Sequence, residues 1–385
     1  MKILYPLSEI TPSYGGIGAY TFKVINGLIN RHKDYEAIII TCNQQQKDTF
    51  SNYFEGIDRV KIISLFERSF NHIFIRDLYF QMRLARKIGK IIRKEEIDVI
   101  HHQTGHCDLF FAINFLDEIP KIITSHGDTF TLLEIWKNAK LQNFDEKVNY
   151  FAGKLLYHEE KMLYQKSNKI IAVADHVKRK IISNYKIEPD KIITIYNFAD
   201  AQKFYFHPGE FIKPYKIGFI GRPYYIKGFY DLIKILNNKK YGNALEWHLV
   251  TNIDLVKKLV KNDDNICYYS KIPHLELSEF YDNIDFMFVP SYSEACPTVL
   301  LESLLKGKLC IARNIKGIQE MIGDCKGYLF EDAMQLNFPD IVEKVMKKRE
   351  YLLEILKNNR EKMKQKYATD KIICDLYNLY EDYIN

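Results

Sequence analysis

Short apolar runs of strand length alternate with amphipathic helical stretches along this 385-residue chain, and this alternation restricts its fold more than any other feature. A run that is apolar throughout is typical of a parallel strand covered by helices on both faces. One series of such runs occupies residues 2–5, 37–42, 60–65, 99–101, 121–125, 169–173 and 192–196. The series predicts a doubly wound α/β domain.

A second series follows and predicts a second domain of the same class. Its runs lie at residues 216–220, 246–251, 265–268, 285–290, 309–313 and 327–330. The aromatic, proline-bounded segment 197–214 has no clear period and is where we place the crossing between domains. We therefore predict two Rossmann-like domains facing a cleft, over residues 1–200 and 201–365, and a C-terminal helix over 366–385 that returns to the first domain.

Composition excludes several other classes of protein. The chain is 47% hydrophobic and 27% charged, which is typical of a globular protein. No apolar run approaches the roughly 18 residues of a membrane span, and residues 1–6 lack a signal-peptide core, so we expect a cytoplasmic protein. Seven scattered cysteines argue against a disulfide framework or a zinc ribbon. A net charge of +6 is too small to indicate nucleic-acid binding.

Positive charge is concentrated in residues 76–94, where seven basic residues and one acid alternate with apolar residues. This pattern predicts a basic amphipathic helix. In one interpretation it is a solvated helix that packs on the sheet. In the other it docks on anionic lipid, where each basic residue contributes about 1 kcal/mol, and the protein is peripheral on the inner face of the cell membrane.

The first chemical motif follows the run at 285–290. Pro297 suits the start of a helix, and the N–H groups of Thr298 and Val299 then form an anion site. Glu302 lies one turn further on the same face as Thr298, at the right spacing for a ribose diol, and Glu294 projects into the predicted cleft. The alternative is that both glutamates are surface charges.

A second motif follows the run at 216–220. Arg222 and Lys227 are two cations on one strand-to-helix loop, and Gly228 allows the chain to turn. Such a pair could hold a diphosphate and stabilise it as a leaving group. The alternative is an ordinary solvated basic loop.

Glycines and histidines mark two loops of the first domain. Gly15 and Gly16 allow close backbone approach to a ligand, or simply begin a helix. They do not form a dinucleotide fingerprint, because Thr21 occupies the third glycine position. His126 and Asp128 follow the run at 121–125 and could bind substrate hydroxyls or act on protons. The alternative is that the histidine is simply a hydrogen-bonded part of the structure. A further histidine group lacks carboxylate or cysteine partners at ligand spacing, so no metal site is predicted; it comprises His101, His102 and His106.

Taken in order, these residues resemble the retaining family 4 glycosyltransferases of the GT-B fold. Glu294 and Glu302 match that family's Glu-x7-Glu motif, and Arg222 and Lys227 match its Gly-Arg and Lys-Gly pair. Segments 170–173 and 195–197 resemble the approach to its interdomain linker, and the residues Gly15 and Gly16 resemble its N-terminal glycine loop.

The resemblance implies a role for each of these residues. Arg222 and Lys227 would hold the donor diphosphate, Glu302 the donor ribose, and Glu294 the transferred sugar. His126 would lie near that sugar on the acceptor side. The two N-terminal glycines would approach the phosphates or the acceptor through their backbone.

The resemblance also implies a metal-independent reaction without a cofactor. We expect front-side retention, in which the departing phosphate takes the acceptor proton. Pro297 and Phe198 stand where many family members have Gly, and Asn314 and Lys316 where Gly and Asp are common. These departures leave the identity of the donor open.

The implied activity is that of a hexosyltransferase. Its partners would be a UDP- or GDP-sugar donor and a saccharide or lipid-linked glycan acceptor in cell-surface polysaccharide synthesis, with no nucleic acid. Two alternatives remain. A nucleotide-sugar epimerase of the same fold would convert the donor without an acceptor, and a non-catalytic nucleotide-sugar binding protein would function without Glu294.

Overall fold

The computed structural model describes most of the chain, namely residues 1–7, 16–67, 73–104, 118–137, 139, 144–238, 244–261, 264–273, 276–323, 329–330 and 338–384. The chain divides into two compact units. The first contains Met1–Leu133, Val148–Tyr196 and Asp370–Asn385, and the second contains Glu134–Lys147 and Asn197–Thr369.

The first unit is built on a parallel sheet of seven strands in the order β3-β2-β1-β4-β5-β6-β7. Its strands and helices alternate along the chain as predicted. In chain order they are β1 (Lys2–Pro6), α1 (Gly16–Arg31), β2 (Glu36–Thr41), α2 (Gln44–Ser51), β3 (Val60–Ser64), α3 (Ile73–Glu95), β4 (Val99–Gln103), β5 (Lys121–Ser125), α4 (Thr129–Lys137), α5 (Phe144–Lys166), β6 (Lys169–Ala172), α6 (Asp175–Tyr185) and β7 (Ile192–Thr194).

The second unit contains a parallel sheet of six strands in the order β10-β9-β8-β11-β12-β13. The elements from this point to the end of the chain are β8 (Tyr215–Ile220), α7 (Phe229–Leu236), β9 (Leu245–Val250), α8 (Ile253–Leu259), β10 (Ile266–Tyr269), α9 (Leu277–Asp282), β11 (Phe286–Val289), α10 (Thr298–Leu305), β12 (Leu309–Arg313), α11 (Lys316–Ile322), β13 (Leu329–Phe330), α12 (Phe338–Lys347), α13 (Arg349–Lys366) and α14 (Thr369–Ile384).

The apolar runs form strands that are buried on both faces, as expected for parallel strands in a doubly wound sheet. All five residues of β4, β5 and β12 are buried, and so are all four of β11. Every strand pair is parallel, with register partners such as Ile3 and Ala37 in the first sheet and Phe286 and Leu309 in the second. The predicted fold class, two doubly wound α/β sheets, is therefore confirmed.

The predicted return of the C-terminal helix to the first domain is also confirmed. The ring of Tyr377 in α14 stacks on His32 at a centroid distance of 3.5 Å. A Cβ at Gly27 of α1 would lie 2.6 Å from the end of the Ile373 side chain, so the glycine lets this side chain of α14 pack directly against α1. None of the helices in the described segments is both long and apolar enough to span a membrane.

A buried carboxyl group lies among helices of the first unit. Glu160 of α5 accepts hydrogen bonds from the Thr129 amide at 2.9 Å, from the Tyr164 hydroxyl at 3.0 Å, and from the Tyr185 hydroxyl. Burial raises the pKa of Glu160 to about 7. The folded chain therefore holds a proton on this group at pH values where the unfolded chain has lost it.

This shift predicts how stability depends on pH. The contribution of Glu160 is fully present below its unfolded pKa and is lost as pH rises through 7. Between pH 5 and pH 8 the free energy of unfolding should fall by roughly 3 kcal/mol from this group, and Glu160→Gln should remove that fall. Urea denaturation at the two pH values measures both.

Glu96→Gln provides the matched control, because the Glu96 side chain is exposed in the same unit. This variant should keep the pH dependence of the wild type. Equal pH dependence in the wild type and in Glu160→Gln would contradict the prediction.

Candidate active site

The loops that follow β8 and β11 lie side by side at the carboxyl ends of neighbouring strands. The Tyr292 amide donates to the Ile226 carbonyl at 2.8 Å, and the ring of Tyr292 stacks on that of Tyr225 at 4.6 Å. Ligands of open α/β sheets bind at this edge. The two motifs singled out in the second half of the sequence thus meet in one place.

Gly228 brings the two loops together. Its φ is +67°, a conformation that residues with a side chain rarely adopt. A Cβ at this position would lie 2.3 Å from the Pro290 carbonyl oxygen. Glycine is therefore required both for the turn and for the contact.

Lys227 and Glu294 form an ion pair across these loops. The Lys227 ammonium lies 2.8 Å and 3.0 Å from the two carboxylate oxygens of Glu294, and the Ser291 hydroxyl donates to one of them at 2.7 Å. The Glu294 side chain is 9% exposed and that of Lys227 is 37% exposed. The carboxylate is held in a fixed orientation, whereas the ammonium stays accessible to an anion.

A buried ion pair supports these loops from behind. Arg313, at the end of β12, donates to Asp231 at 2.7 Å and to the Pro290 carbonyl at 3.0 Å. The Tyr292 hydroxyl also donates to Asp231 at 2.7 Å, and the guanidinium lies 3.9 Å from the centre of the Tyr292 ring. Burial and this hydrogen bond raise the pKa of Tyr292, which stays a neutral donor.

Sequence reasoning missed Arg313, Asp231 and Tyr292. One available signal was a charged residue at the end of the apolar run at 309–313, because a buried charge needs a partner.

The start of α10 has the geometry of an anion site. Pro297 precedes the helix, and its carbonyl accepts the first helical hydrogen bonds, from Leu300 and Leu301 at 3.1 Å. The amides of Thr298 and Val299 come earlier and have no protein acceptor within the described residues. Partly unsatisfied N–H groups at a helix start attract negative charge.

Glu302 lies deeper than the sequence suggested. It is 1% exposed, and one of its carboxylate oxygens accepts a hydrogen bond from the buried Tyr281 hydroxyl at 3.0 Å. The alternative of a surface charge is therefore wrong for Glu302. A ligand that contacts this carboxylate must pack directly against α10.

Two of the basic residues that the sequence analysis named in the second unit are exposed. Arg222 follows β8, and its side chain makes no hydrogen bond or ion pair with any residue that the structure describes. Lys316 is exposed at the start of α11, next to Asn314, which accepts a hydrogen bond from Gln319 at 2.6 Å. Both side chains are available to a charged ligand.

In the first unit, His126 follows β5 and is held by three neighbours. Its Nε2 lies 2.8 Å from Gln103 Oε1, its amide donates to the Thr104 hydroxyl at 3.0 Å, and its ring meets the edge of Tyr20 at 4.8 Å. Gly16 is the first residue of α1, while Gly15 lies outside the described residues. The histidine is thus fixed at the carboxyl edge of the first sheet.

Asp128 has a structural role. Its carboxylate accepts hydrogen bonds from the amide and the hydroxyl of Thr131, both at 2.8 Å, and Asn184 and Lys180 lie at 3.4 Å and 3.7 Å. This is the pattern of a helix cap. These contacts give Asp128 a structural role, and a contact between its carboxylate and substrate hydroxyls stays a prediction.

The described residues contain one group with the donor atoms for a metal ion. Glu246, His248 and Cys267 offer atoms that lie within 4.8 Å of one another. They are near the amino ends of β9 and β10, at the opposite edge from Lys227 and Glu294. His248 Nε2 lies 2.7 Å from the Glu246 carboxylate and His248 Nδ1 lies 2.9 Å from the Tyr269 hydroxyl, so protein contacts already satisfy the imidazole.

His106, which the sequence analysis grouped with His101 and His102, lies outside the described residues.

Comparison with known families agrees with this arrangement. Residues 14–203 match Glycosyltransferase Family 4, and residues 201–363 match Glycosyl transferases group 1. The chain belongs to the family 4 glycosyltransferases of the GT-B fold. The resemblance seen in the sequence is confirmed.

Several known glycosyltransferases match over most of the chain, including the following two. An uncharacterised glycosyltransferase of Methanocaldococcus jannaschii is 27% identical over 99% of this chain and 98% of its own length. The capsular polysaccharide biosynthesis glycosyltransferase CapM of Staphylococcus aureus is 22% identical over 80% of this chain and 82% of its own.

Many solved structures share this fold at low identity, including the following two. Sucrose-phosphate synthase of Thermosynechococcus elongatus superposes with a TM-score of 0.78 at 14% identity, over 99% of this chain and 98% of its own. HepE of Anabaena, solved with UDP and glucose, superposes with a TM-score of 0.69 at 14% identity, over 99% of this chain and 100% of its own.

The buried pair behind the loops gives a prediction of stability. Asp231→Ala leaves the Arg313 charge buried without its partner, so the free energy of unfolding should fall by about 3–5 kcal/mol. Urea denaturation measures the change. Glu343→Ala is the matched control, because Glu343 pairs with Lys213 on the exposed surface of the same unit, and this variant should be as stable as the wild type. Equal stability of the two variants would contradict the prediction.

Proposed function

We propose that this glycosyltransferase is a retaining, metal-independent hexosyltransferase. It moves a sugar from a UDP- or GDP-sugar to a saccharide or lipid-linked glycan acceptor in cell-surface polysaccharide synthesis. The observation that carries the proposal is the Lys227–Glu294 pair, which lies at the carboxyl edge of the second sheet. There a cation for the leaving group and a carboxylate for the sugar are held together.

The donor diphosphate would be bound by positive groups of the second unit. Arg222 is exposed, and Lys227 keeps part of its ammonium accessible beside Glu294. The amides of Thr298 and Val299 add the positive end of α10. These groups can offset the charge that develops on the departing diphosphate, which is the task a metal ion performs in other enzymes.

The two glutamates would bind different parts of the donor. Glu294 would contact hydroxyls of the transferred sugar, because Lys227 and Ser291 fix its carboxylate in place. Glu302 would bind the ribose diol, with Tyr281 orienting its carboxylate. The deep position of Glu302 then requires the ribose to pack closely against α10.

The transfer step follows from these assignments. The acceptor hydroxyl oxygen forms a bond to the anomeric carbon while the bond from that carbon to the diphosphate oxygen breaks. The acceptor proton passes to the departing phosphate, so the new bond forms on the same face of the sugar. Arg222 and Lys227 stabilise the leaving group. His126, Gly15 and Gly16 would position the sugar and the acceptor from the first unit.

Two relatives support the choice of donor and pathway. HepE of Anabaena was solved with UDP and glucose, and CapM of Staphylococcus aureus is named for capsular polysaccharide biosynthesis. A uridine diphosphate donor and a cell-surface glycan product are therefore the first candidates to test for this chain.

Three substitutions test the site. Glu294→Gln, Arg222→Ala and Lys227→Ala should each lower turnover by about 10²-fold or more, because each removes a contact made to the transition state. Sugar transfer is measured with labelled UDP- and GDP-sugars and a mixture of membrane-extracted acceptors. Lys213→Ala, at an exposed lysine of the same unit, should leave turnover unchanged.

Calorimetry with UDP and GDP, each with and without EDTA, separates binding from chemistry. Arg222→Ala and Lys227→Ala should weaken binding of the diphosphate, whereas Glu294→Gln should bind it as the wild type does. Near-normal turnover in all three variants would disprove the site. Conversion of the donor without any acceptor would favour an epimerase, and intact function of Glu294→Gln would favour a non-catalytic binding protein.

We also propose that α3 holds the enzyme at an anionic membrane surface. Phe80, Leu84 and Ile88 on one face of this helix are buried. The opposite face exposes Leu78 (37%) and Met82 (48%) beside a group of basic residues. That group is Arg86, Lys90, Arg93 and Lys94. Apolar and basic side chains on one exposed face are typical of a helix that lies in a lipid interface, where lipid-linked acceptors are found.

Vesicle sedimentation tests this attachment. The wild type should pellet with vesicles that contain phosphatidylglycerol and remain in the supernatant at high salt. Replacing Arg86, Lys90, Arg93 and Lys94 with Gln should abolish pelleting. The matched control replaces four exposed lysines of the second unit and should pellet like the wild type; they are Lys257, Lys258, Lys347 and Lys348. Equal pelleting of the two variants would disprove the role of α3.

A further inference from the structure

Three side chains with metal-binding atoms meet on one face of the second sheet. Glu246 and His248 are two positions apart in β9, and side chains at this spacing in a strand point to the same face. Cys267 in β10 is the register partner of His248, so its side chain joins them on that face. The pairing of the two strands therefore brings the group together, although its members come from two separate segments.

The donor atoms of this group are close enough to share one ion. Glu246 Oε1 lies 2.7 Å from His248 Nε2 and 3.9 Å from Cys267 Sγ, and the three atoms lie within 4.8 Å of one another. Ligand atoms around a tetrahedral Zn²⁺, with bonds of about 2.0–2.3 Å, are roughly 3.3–3.7 Å apart. Moving the donors into that geometry requires shifts of about 1 Å or less.

The contacts of His248 suit a metal ligand. A neutral imidazole binds a metal through one nitrogen and has its proton on the other, where an oxygen usually accepts it. His248 Nδ1 lies 2.9 Å from the Tyr269 hydroxyl, whose oxygen can accept that proton. His248 Nε2 faces Glu246. A metal ion bound by this nitrogen and this carboxylate takes the place of the proton in their hydrogen bond.

The group is buried at one side and open at the other. The His248 side chain is 6% exposed and that of Glu246 is 30% exposed, while Cys267 is exposed to solvent. Burial holds the imidazole in place, and the open side gives an ion a path to the sulfur and the carboxylate. Three protein ligands leave the fourth position of a tetrahedral ion to water.

The donor atoms also select the class of metal. Thiolate, imidazole and carboxylate are the ligands of Zn²⁺, whereas Mg²⁺ and Ca²⁺ are bound by oxygen atoms. The thiolate and the carboxylate supply two negative charges for a divalent cation. The charges of Lys216 and Asp285, which both act on His248, are of opposite sign. We propose that Glu246, His248 and Cys267 bind one Zn²⁺ ion, which links the edge strand β10 to β9.

This zinc site lies outside the proposed transfer reaction. It is near the amino ends of β9 and β10, whereas Lys227 and Glu294 follow the carboxyl ends of β8 and β11. An ion that binds the folded chain stabilises it by mass action, without contact to the donor sugar. Zinc binding is measured without any sugar substrate, so its result does not depend on the proposed function.

Cobalt titration of the full chain tests the proposal. The chain is first stripped with EDTA, dialysed and kept reduced. Co²⁺ occupies zinc sites, and a thiolate ligand gives it a strong absorption band in the near ultraviolet. One Co²⁺ per chain should bind with this band, Zn²⁺ should displace it, and excess Mg²⁺ should leave it unchanged. Absence of the band, or its loss on addition of Mg²⁺, would overturn the proposal.

Two variants test the ligands. Cys267→Ser should remove the band, and it should weaken Zn²⁺ binding by about tenfold or more in competition with a colorimetric chelator. Glu246→Gln should keep the band and weaken Zn²⁺ binding by a similar factor. Cys374→Ser is the matched control, because Cys374 is also an exposed cysteine and lies in the first unit; it should bind both ions as the wild type does. A wild-type band and affinity in Cys267→Ser would overturn the proposal.

Urea denaturation tests the link between the strands. Saturating Zn²⁺ should raise the urea midpoint of the wild type and of Cys374→Ser, and it should leave that of Cys267→Ser unchanged. If Cys267→Ser does not fold, Glu246→Gln takes its place and should show a smaller rise than the wild type. Equal rises in the wild type and in the ligand variant would show that Zn²⁺ acts elsewhere and would overturn the proposal.

Discussion

The ion pair between Arg313 and Asp231 is the contact on which the strand-end loops of the second unit depend. A buried guanidinium is tolerated only when its charge is paired and its N–H groups are satisfied, and this one is satisfied by Asp231 and by the Pro290 carbonyl. The ends of β11 and β12 and the start of α7 are therefore fixed to one side chain. The pair of Lys227 and Glu294 lies on this support, and so would a donor sugar.

Carboxyl groups of the same type meet three different environments in this enzyme. Glu294 faces an ammonium and a hydroxyl at the edge of the sheet, where it can meet a polar ligand. Glu302 is buried beneath the same loop against a tyrosine hydroxyl. Glu160 lies in the first unit, where its described hydrogen-bond partners are an amide and two hydroxyls, and burial raises its pKa to about 7. The surroundings of each residue, supplied by other segments, determine which chemistry its carboxyl group can perform.

The strands and the motif positions could be predicted because their signals are local. Continuous apolar runs identified the strands, and the loops that contain Lys227 and Glu294 follow runs that pair as neighbours in the sheet. The charge of Arg313 at the end of an apolar run indicated that it needs a partner, but the sequence does not identify that partner, because Asp231 is 82 positions away. The depth of Glu302 likewise depends on Tyr281, from a different helix. The cap at Asp128 was predictable, because Thr131 follows at the spacing of a capped helix.

The last helix has a consequence for how the protein is made. Tyr5, in the first strand, bonds to Tyr380, which is 375 positions later in the chain. Domains generally fold as they emerge during synthesis, beginning at the N-terminus. Here the first unit cannot complete its interior until the chain has been synthesised past Tyr380. The second unit, whose sheet lies within one continuous stretch, can finish folding before the first, so the order of completion is the reverse of the order of synthesis.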